Sequence, residues 1–213
     1  MRIPGMIKGI AAVLCILLGA AGLAWAGSAA PSASAGKAAL ERARLLFYAS
    51  VEEKKQIRPA IAAFEELAVA QPEWAGRART YIGALVALQG KHAFLPHAKW
   101  RLANRGLEIM DEGVAMAPED VESLFIHSST CYFLPFFFKR GEDAQAKFRE
   151  LVRLLPQNHR EFDDAMLANV VQFIAERAHL DESQKADLER LREELHHERS
   201  MPAVVRTEEG AGS

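Results

Sequence analysis

Apolar residues recur three and four positions apart through most of the chain from residue 37 onward, and no stretch alternates convincingly with period two. This pattern predicts helices over 37–51, 57–71, 74–90, 97–116, 119–134, 142–155, 159–178 and 181–199, hence an all-α fold. Pro72, Pro118, Pro135 and Pro156 fall at the expected breaks, where a missing N–H does least harm. Asn158 with Glu161, and Asp181 with Gln184, have the spacing of capping boxes that would open the seventh and eighth helices. On the seventh, Leu167, Val170, Val171, Ile174 and Ala178 form a wide apolar stripe that calls for burial. The eighth offers only Leu188, Leu191 and Leu195 among charged residues. Such a narrow stripe suits a capping helix, with a short coiled-coil seam to a partner as the alternative.

Three segments share one order of small, large apolar, packing residue and proline. They are Ala60, Phe64, Leu67 and Pro72; Gly106, Met110, Gly113 and Pro118; and Ala144, Phe148, Leu151 and Pro156, with offsets of 4, 3 and 5 each time. The first three positions share a helical face, and the small one admits a neighbouring helix. Trp74, Ala78 and Tyr81 precede the second segment as aromatic, small and aromatic. In these residues the chain resembles the tetratricopeptide repeat family over 38–156. The resemblance implies antiparallel helix pairs stacked as a short right-handed solenoid within 37–200, closed by a C-terminal helix pair. Two features depart from the family. The prolines lie 46 and 38 residues apart, and the surplus between Tyr81 and Gly106, with Gly90, His92 and Pro96, is expected to form an inserted loop. Pro135 falls where the first helix of the third unit should continue. A plain helical bundle is the alternative architecture.

The N-terminus reads as an address. Arg2 and Lys8 precede an uncharged run from Gly9 to Ala26 that is rich in Leu, Ile and Val, and Ala24-Trp25-Ala26 offers small residues for cleavage. These are the parts of a secretory signal peptide over 1–26, with an uncleaved inner-membrane anchor as the alternative. Cys15 follows Leu14, which is too large for the usual lipoprotein site. The expected location is therefore the periplasm of a bacterium. Loss of Arg2 and Lys8 would take the formal charge from −2 to −4, and loss of Cys15 would leave Cys131 without a partner for an internal disulfide. Net negative charge and export both argue against nucleic acid as a ligand. Gly27 to Gly36 reads as a flexible linker and 201–213 as a disordered tail.

Motifs that carry chemistry are sparse. The chain has no phosphate-cradling glycine loop, no His-Glu-x-x-His helix and no Gly-x-Ser-x-Gly elbow, so neither a cofactor nor a metal nor a catalytic residue is expected. His127 and Cys131, four apart, could share a helical face, and an imidazole can activate a thiol or help ligate zinc. No third group is visible from the sequence, and a cysteine beside Phe125 and Leu134 is ordinary core. His92 and His97 straddle Pro96 at a poor ligand spacing, and His196-His197 sit on a charged helix. The adjacent acids Glu65-Glu66, Asp111-Glu112 and Asp163-Asp164 diverge around a helix and read as solvated faces.

Two stretches are candidate surfaces for a partner. From Lys91 to Arg105 the bases Lys91, Lys99, Arg101 and Arg105 occur without an acid, with Phe94 and Trp100 among them. Such a stretch suits an acidic peptide, a lipid head group or an anionic glycan, the alternative being a basic face balanced by neighbouring acids. The run Tyr132 to Phe138, with Phe136, Phe137 and Phe138 together, either covers the insertion near Phe94 or stays exposed as an anchor patch. The expected function is a non-catalytic exported scaffold or adaptor that holds a protein or peptide partner. The alternatives are an envelope-tethered accessory factor with membrane association, and a helical enzyme using His127 and Cys131.

Overall fold

The computed structural model describes residues 33–159, 162 and 164–200. The signal-peptide or anchor segment, residues 27–32 of the linker, and the tail over 201–213 lie outside the described residues. Eight α-helices run along the described chain: α1 Ala33–Glu52, α2 Ile57–Ala70, α3 Ala75–His92, α4 Pro96–Met116, α5 Val121–Tyr132, α6 Gly141–Asn158, α7 Asp164–Arg177 and α8 Glu182–Ser200. Short 3-10 turns at Lys54–Gln56, Pro72–Trp74 and Phe136–Phe138 join some of them, and no strand occurs among the described residues. The fold is all-α.

Local chemistry sets several boundaries. Pro96 opens α4 after an extended Leu95, where its fixed φ is already helical and its missing N–H costs nothing. Asp120 caps α5, its carboxylate accepting from the Ser123 backbone N–H at 3.0 Å. The Asp181 carboxylate accepts from Gln184 N–H at 2.9 Å while the Gln184 amide oxygen accepts from Asp181 N–H at 3.1 Å, a complete capping box.

Four expectations are corrected here. The linker does not extend to residue 36, because α1 begins at Ala33 and Gly36 is buried against the Gln71 side chain. Asn158 does not open α7: it ends α6, donating its side-chain amide to the Leu154 carbonyl at 3.0 Å, and Glu161 lies outside the described residues. Pro156 does not break its helix but sits in the last turn of α6, where a single lost backbone hydrogen bond is tolerable. No inserted loop follows Tyr81 either. The surplus residues lengthen α3 to 18 residues and α4 to 21, joined by the short turn 93–95.

A seam of glycines explains how that long hairpin holds together. Gly76, Gly83 and Gly90 recur every seventh residue on α3, and Gly106 and Gly113 do so on α4. A Cβ on Gly83 would meet the Gly106 carbonyl and the Met110 amide nitrogen at 2.6 Å, and one on Gly113 would meet Thr80 N at 2.5 Å. A Cβ on Gly90 would meet the Lys99 carbonyl at 3.1 Å. Numbers rise along α3 as they fall along α4, so the two helices are antiparallel. Backbone lies against backbone, which only glycine permits.

α3 is the centre of the N-terminal half and packs on α1, α2, α4 and α5. Tyr81 is wholly buried there, stacked on Phe64 of α2 at 4.4 Å and edge-on to Phe47 of α1 at 4.7 Å. Ala60, Phe64, Met110, Ala144 and Phe148 are also without solvent exposure, and Trp74 is half-buried. A second aromatic cluster gathers Phe125, Tyr132, Phe133 and Phe148 around Phe173 of α7. Leu167, Val170, Val171 and Ile174 are buried, as are Leu188 and Leu191 of α8, which packs on α6 and α7.

Candidate functional site

Between the middle of α1 and the first turns of α3 and α5 lies a network of buried charge. Glu122, in the first turn of α5, is completely buried. Its carboxylate accepts from Arg44 Nε of α1 at 2.8 Å, from a second Arg44 nitrogen, and from the Tyr81 hydroxyl. Arg77 Nη1 of α3 lies 3.3 Å away, and Arg77 also grips Asp120 through Nε at 3.0 Å and 3.2 Å. Burial alone would lower the Arg44 pKa, but the Glu122 charge and hydrogen bonds outweigh it and hold the guanidinium above its ordinary value. Burial first, and then the Glu122 charge, push Tyr81 well above the usual phenol range, so its hydroxyl remains a donor. Three helices are thereby fixed to one carboxylate.

This network forms part of the floor of a cleft of about 770 Å³. Lys37, Leu40, Glu41 and Arg44 line it from successive turns of α1, Glu73 and Trp74 from the 3-10 turn before α3, and Arg77 from the first turn of α3. Ala117, Glu119, Asp120, Asn158 and Phe162 close it. The volume falls within the range of ordinary binding clefts. Charges of both signs surround apolar patches at Leu40, Trp74 and Phe162, a lining suited to a polypeptide segment.

A second cluster joins α4, α5 and α6. His127 is fully buried, its Nε2 2.7 Å from Asp111 Oδ1 and its Nδ1 3.5 Å from Cys131 Sγ. With the hydrogen on Nε2 toward the carboxylate, Nδ1 is the nitrogen that would accept from the thiol. Asp111 and Asp143 both receive Arg140, and Asp143 also receives Lys147. Burial would raise the Asp111 pKa, but hydrogen bonds from His127 and Arg140 hold it at about 2. The missing third group for His127 and Cys131 is therefore Asp111. The order Asp–His–Cys is that of a catalytic triad, yet burial pushes the thiol up to about 12, so it stays protonated at neutral pH. One ligand atom from each of His127, Cys131 and Asp143 lies within 4.8 Å of the others, a grouping that could hold a metal ion. Arg140 and Lys147 already balance the two carboxylates, which leaves little charge to draw a cation.

The candidate surface residues have separated fates. Lys91 donates to the Val51 carbonyl at 2.8 Å, and Arg105 pairs with Glu108 at 3.1 Å. Phe94 is 94% exposed, Trp100 58% and Phe136 92%, while Phe138 packs against the core. The aromatic run does not cover the α3–α4 turn, because Phe94 stands almost wholly in solvent. Among the described residues no helix is long and apolar enough to cross a membrane.

The fold and cleft together describe an all-α protein with a polar surface cleft built on a buried ion network. No known family model matches the chain, and neither a curated protein nor a solved structure does so. Sequence reasoning missed Arg44, Arg77, Asp111 and Glu122. The first two and the last carried no local signal, whereas Asp111 was visible only as a member of an acidic pair.

Proposed function

We propose that this chain is a non-catalytic scaffold of tetratricopeptide-like helix pairs that captures a segment of a protein partner in the cleft between α1, α3 and the turn before α5. The single observation that carries the reading is that cleft, about 770 Å³ with an apolar and charged lining over a rigid ion network. A cleft whose floor is fixed in advance loses less freedom on binding. The repeat reading is supported by where the three signature segments lie: each is on the second helix of the successive pairs α1–α2, α3–α4 and α5–α6. The antiparallel α3–α4 seam supports it as well. The scaffold acts after export, on a periplasmic partner.

A photoactivatable residue in place of Lys37 or Glu73, at the cleft rim, tests the reading in cells. One stoichiometric crosslinked polypeptide is expected from both positions and none from Val69, an exposed residue of α2 outside the cleft. Equal crosslinking from all three positions, or none from the rim, refutes it.

A further inference from the structure

The α3–α4 hairpin has 18 and 21 residues in its two helices, against 20 and 14 in α1 and α2 and 12 and 18 in α5 and α6. Lys91 bonds to the carbonyl of Val51, the penultimate residue of α1, so the turn 93–95 lies past the end of that helix. There the chain presents Phe94, Leu95 and Trp100 at 94%, 48% and 58% exposure. None of the three lines the cleft at α1–α3 or those between α6, α7 and α8. Phe94 and Leu95 belong to the turn itself and Trp100 to the second turn of α4. Beside them Lys99 and Arg101 make no ion pair among the described residues, and no acid occurs between Lys91 and Leu107.

We propose that this tip docks on an anionic lipid bilayer, with Phe94, Leu95 and Trp100 at the boundary between head groups and acyl chains and Lys99 and Arg101 against lipid phosphates. Charge complementarity selects the anionic surface. Exposure favours lipid over polypeptide: a protein partner would need a pocket of its own for each of three exposed apolar side chains, whereas a fluid interface closes around all of them. The indole of Trp100, a ring with one polar edge, is stable at that depth, and Phe94 and Leu95 add apolar area. Buried apolar area and attraction between bases and anionic lipids add in such binding, so the exposed apolar side chains and Lys99 with Arg101 would act together. The glycine seam suits the task, because backbone contact between α3 and α4 keeps the tip stiff. The proposal does not rest on the scaffold reading.

The test uses the full chain in a Cys15→Ala background, with Phe94→Cys or Val69→Cys carrying an environment-sensitive nitrobenzoxadiazole label. Cys131 is buried and stays unlabelled in the native protein. With vesicles of phosphatidylcholine and phosphatidylglycerol, the label at 94 is expected to brighten, shift to the blue and be quenched by lipids spin-labelled near the head group. The label at 69 should do none of these, whatever the N-terminal segment does. Adding Lys99→Glu and Arg101→Glu should weaken the response at 94 by about tenfold or more without changing the melting temperature. No response at 94, an equal response on pure phosphatidylcholine, or an equal response at 69 overturns the proposal. So does a response at 94 to a lipid-free protein extract but not to vesicles, which would assign the tip to a protein partner.

Discussion

Replacing Gly106 with alanine probes the contact on which the α3–α4 hairpin depends. The new Cβ would lie 2.5 Å from the Ala87 nitrogen and the Gly83 carbonyl oxygen and 2.6 Å from the Ala87 Cβ, where ordinary contact begins near 3.4 Å. Two of these neighbours are backbone, so no side chain can swing aside and the helices must part by close to an ångström. Overpacking of this kind costs up to about 3 kcal/mol. Against it stands the gain of about 1 kcal/mol from alanine over glycine inside a helix. The net loss is about 2 kcal/mol, and a protein of this size loses about 2–4 °C per kcal/mol, so melting should fall by about 4–8 °C. Thermal unfolding followed by far-ultraviolet circular dichroism measures it. Gly141→Ala is the control, since a Cβ there meets nothing within 4 Å, and it should melt at or slightly above the parent temperature. Gly83→Ala strains the same seam, so the double variant should lose less than the sum of the two singles. A Gly106→Ala protein that melts at or above the parent would refute the close approach.

Two further outcomes follow from the buried groups. Glu122→Ala removes the carboxylate that Arg44, Arg77 and Tyr81 share while Arg44 keeps Glu41 and Arg77 keeps Asp120, so the loss in urea unfolding should fall at the low end of the range for a broken buried pair, about 3 kcal/mol; a loss below about 1 kcal/mol would show that water replaces the carboxylate. Asp111 is held at about 2, below its ordinary 3.8, so its contribution is complete above the higher value and disappears as pH falls through the lower one. The stability gap between the parent and Asp111→Asn should therefore shrink as pH falls from 3.8 to 2, by a modest amount because the side chain is 42% exposed. A gap independent of pH would remove the charge from the account.

The class of fold was legible from periodicity, because which face of a helix is apolar is a property of a few consecutive residues. The same locality made the Asp181–Gln184 capping box readable and placed Phe64, Ala78 and Tyr81 on buried faces. Where the reading failed, the deciding contact came from elsewhere in the chain or from a tolerance that spacing does not encode. Spacing reads Pro156 as a stop, yet in a final turn it forfeits only the one backbone hydrogen bond that its own N–H would have made. Gly90 and Pro96 read as signs of a loop, because glycine and proline act as punctuation in a short window before packing partners are known. Only the approach of α4 turned Gly90 into a member of a seam.

The functional residues divide along the same line. Exposed Phe94 and Trp100 and unpaired Lys99 and Arg101 were visible as a basic, aromatic stretch without an acid. What the sequence could not assign was the use of Lys91 on the end of α1, 40 residues away, whereas the Arg105–Glu108 pair lies three apart on one helix. Arg44 and Glu122 are 78 residues apart, and a charge that will be buried looks locally the same as one that will be solvated. By itself, then, the sequence determined the helices, their apolar faces and the scarcity of catalytic motifs. Tertiary structure alone decided which charges meet in the interior, because ion pairs between helices depend on how those helices cross, and crossing is set by packing distances that no short window of sequence contains.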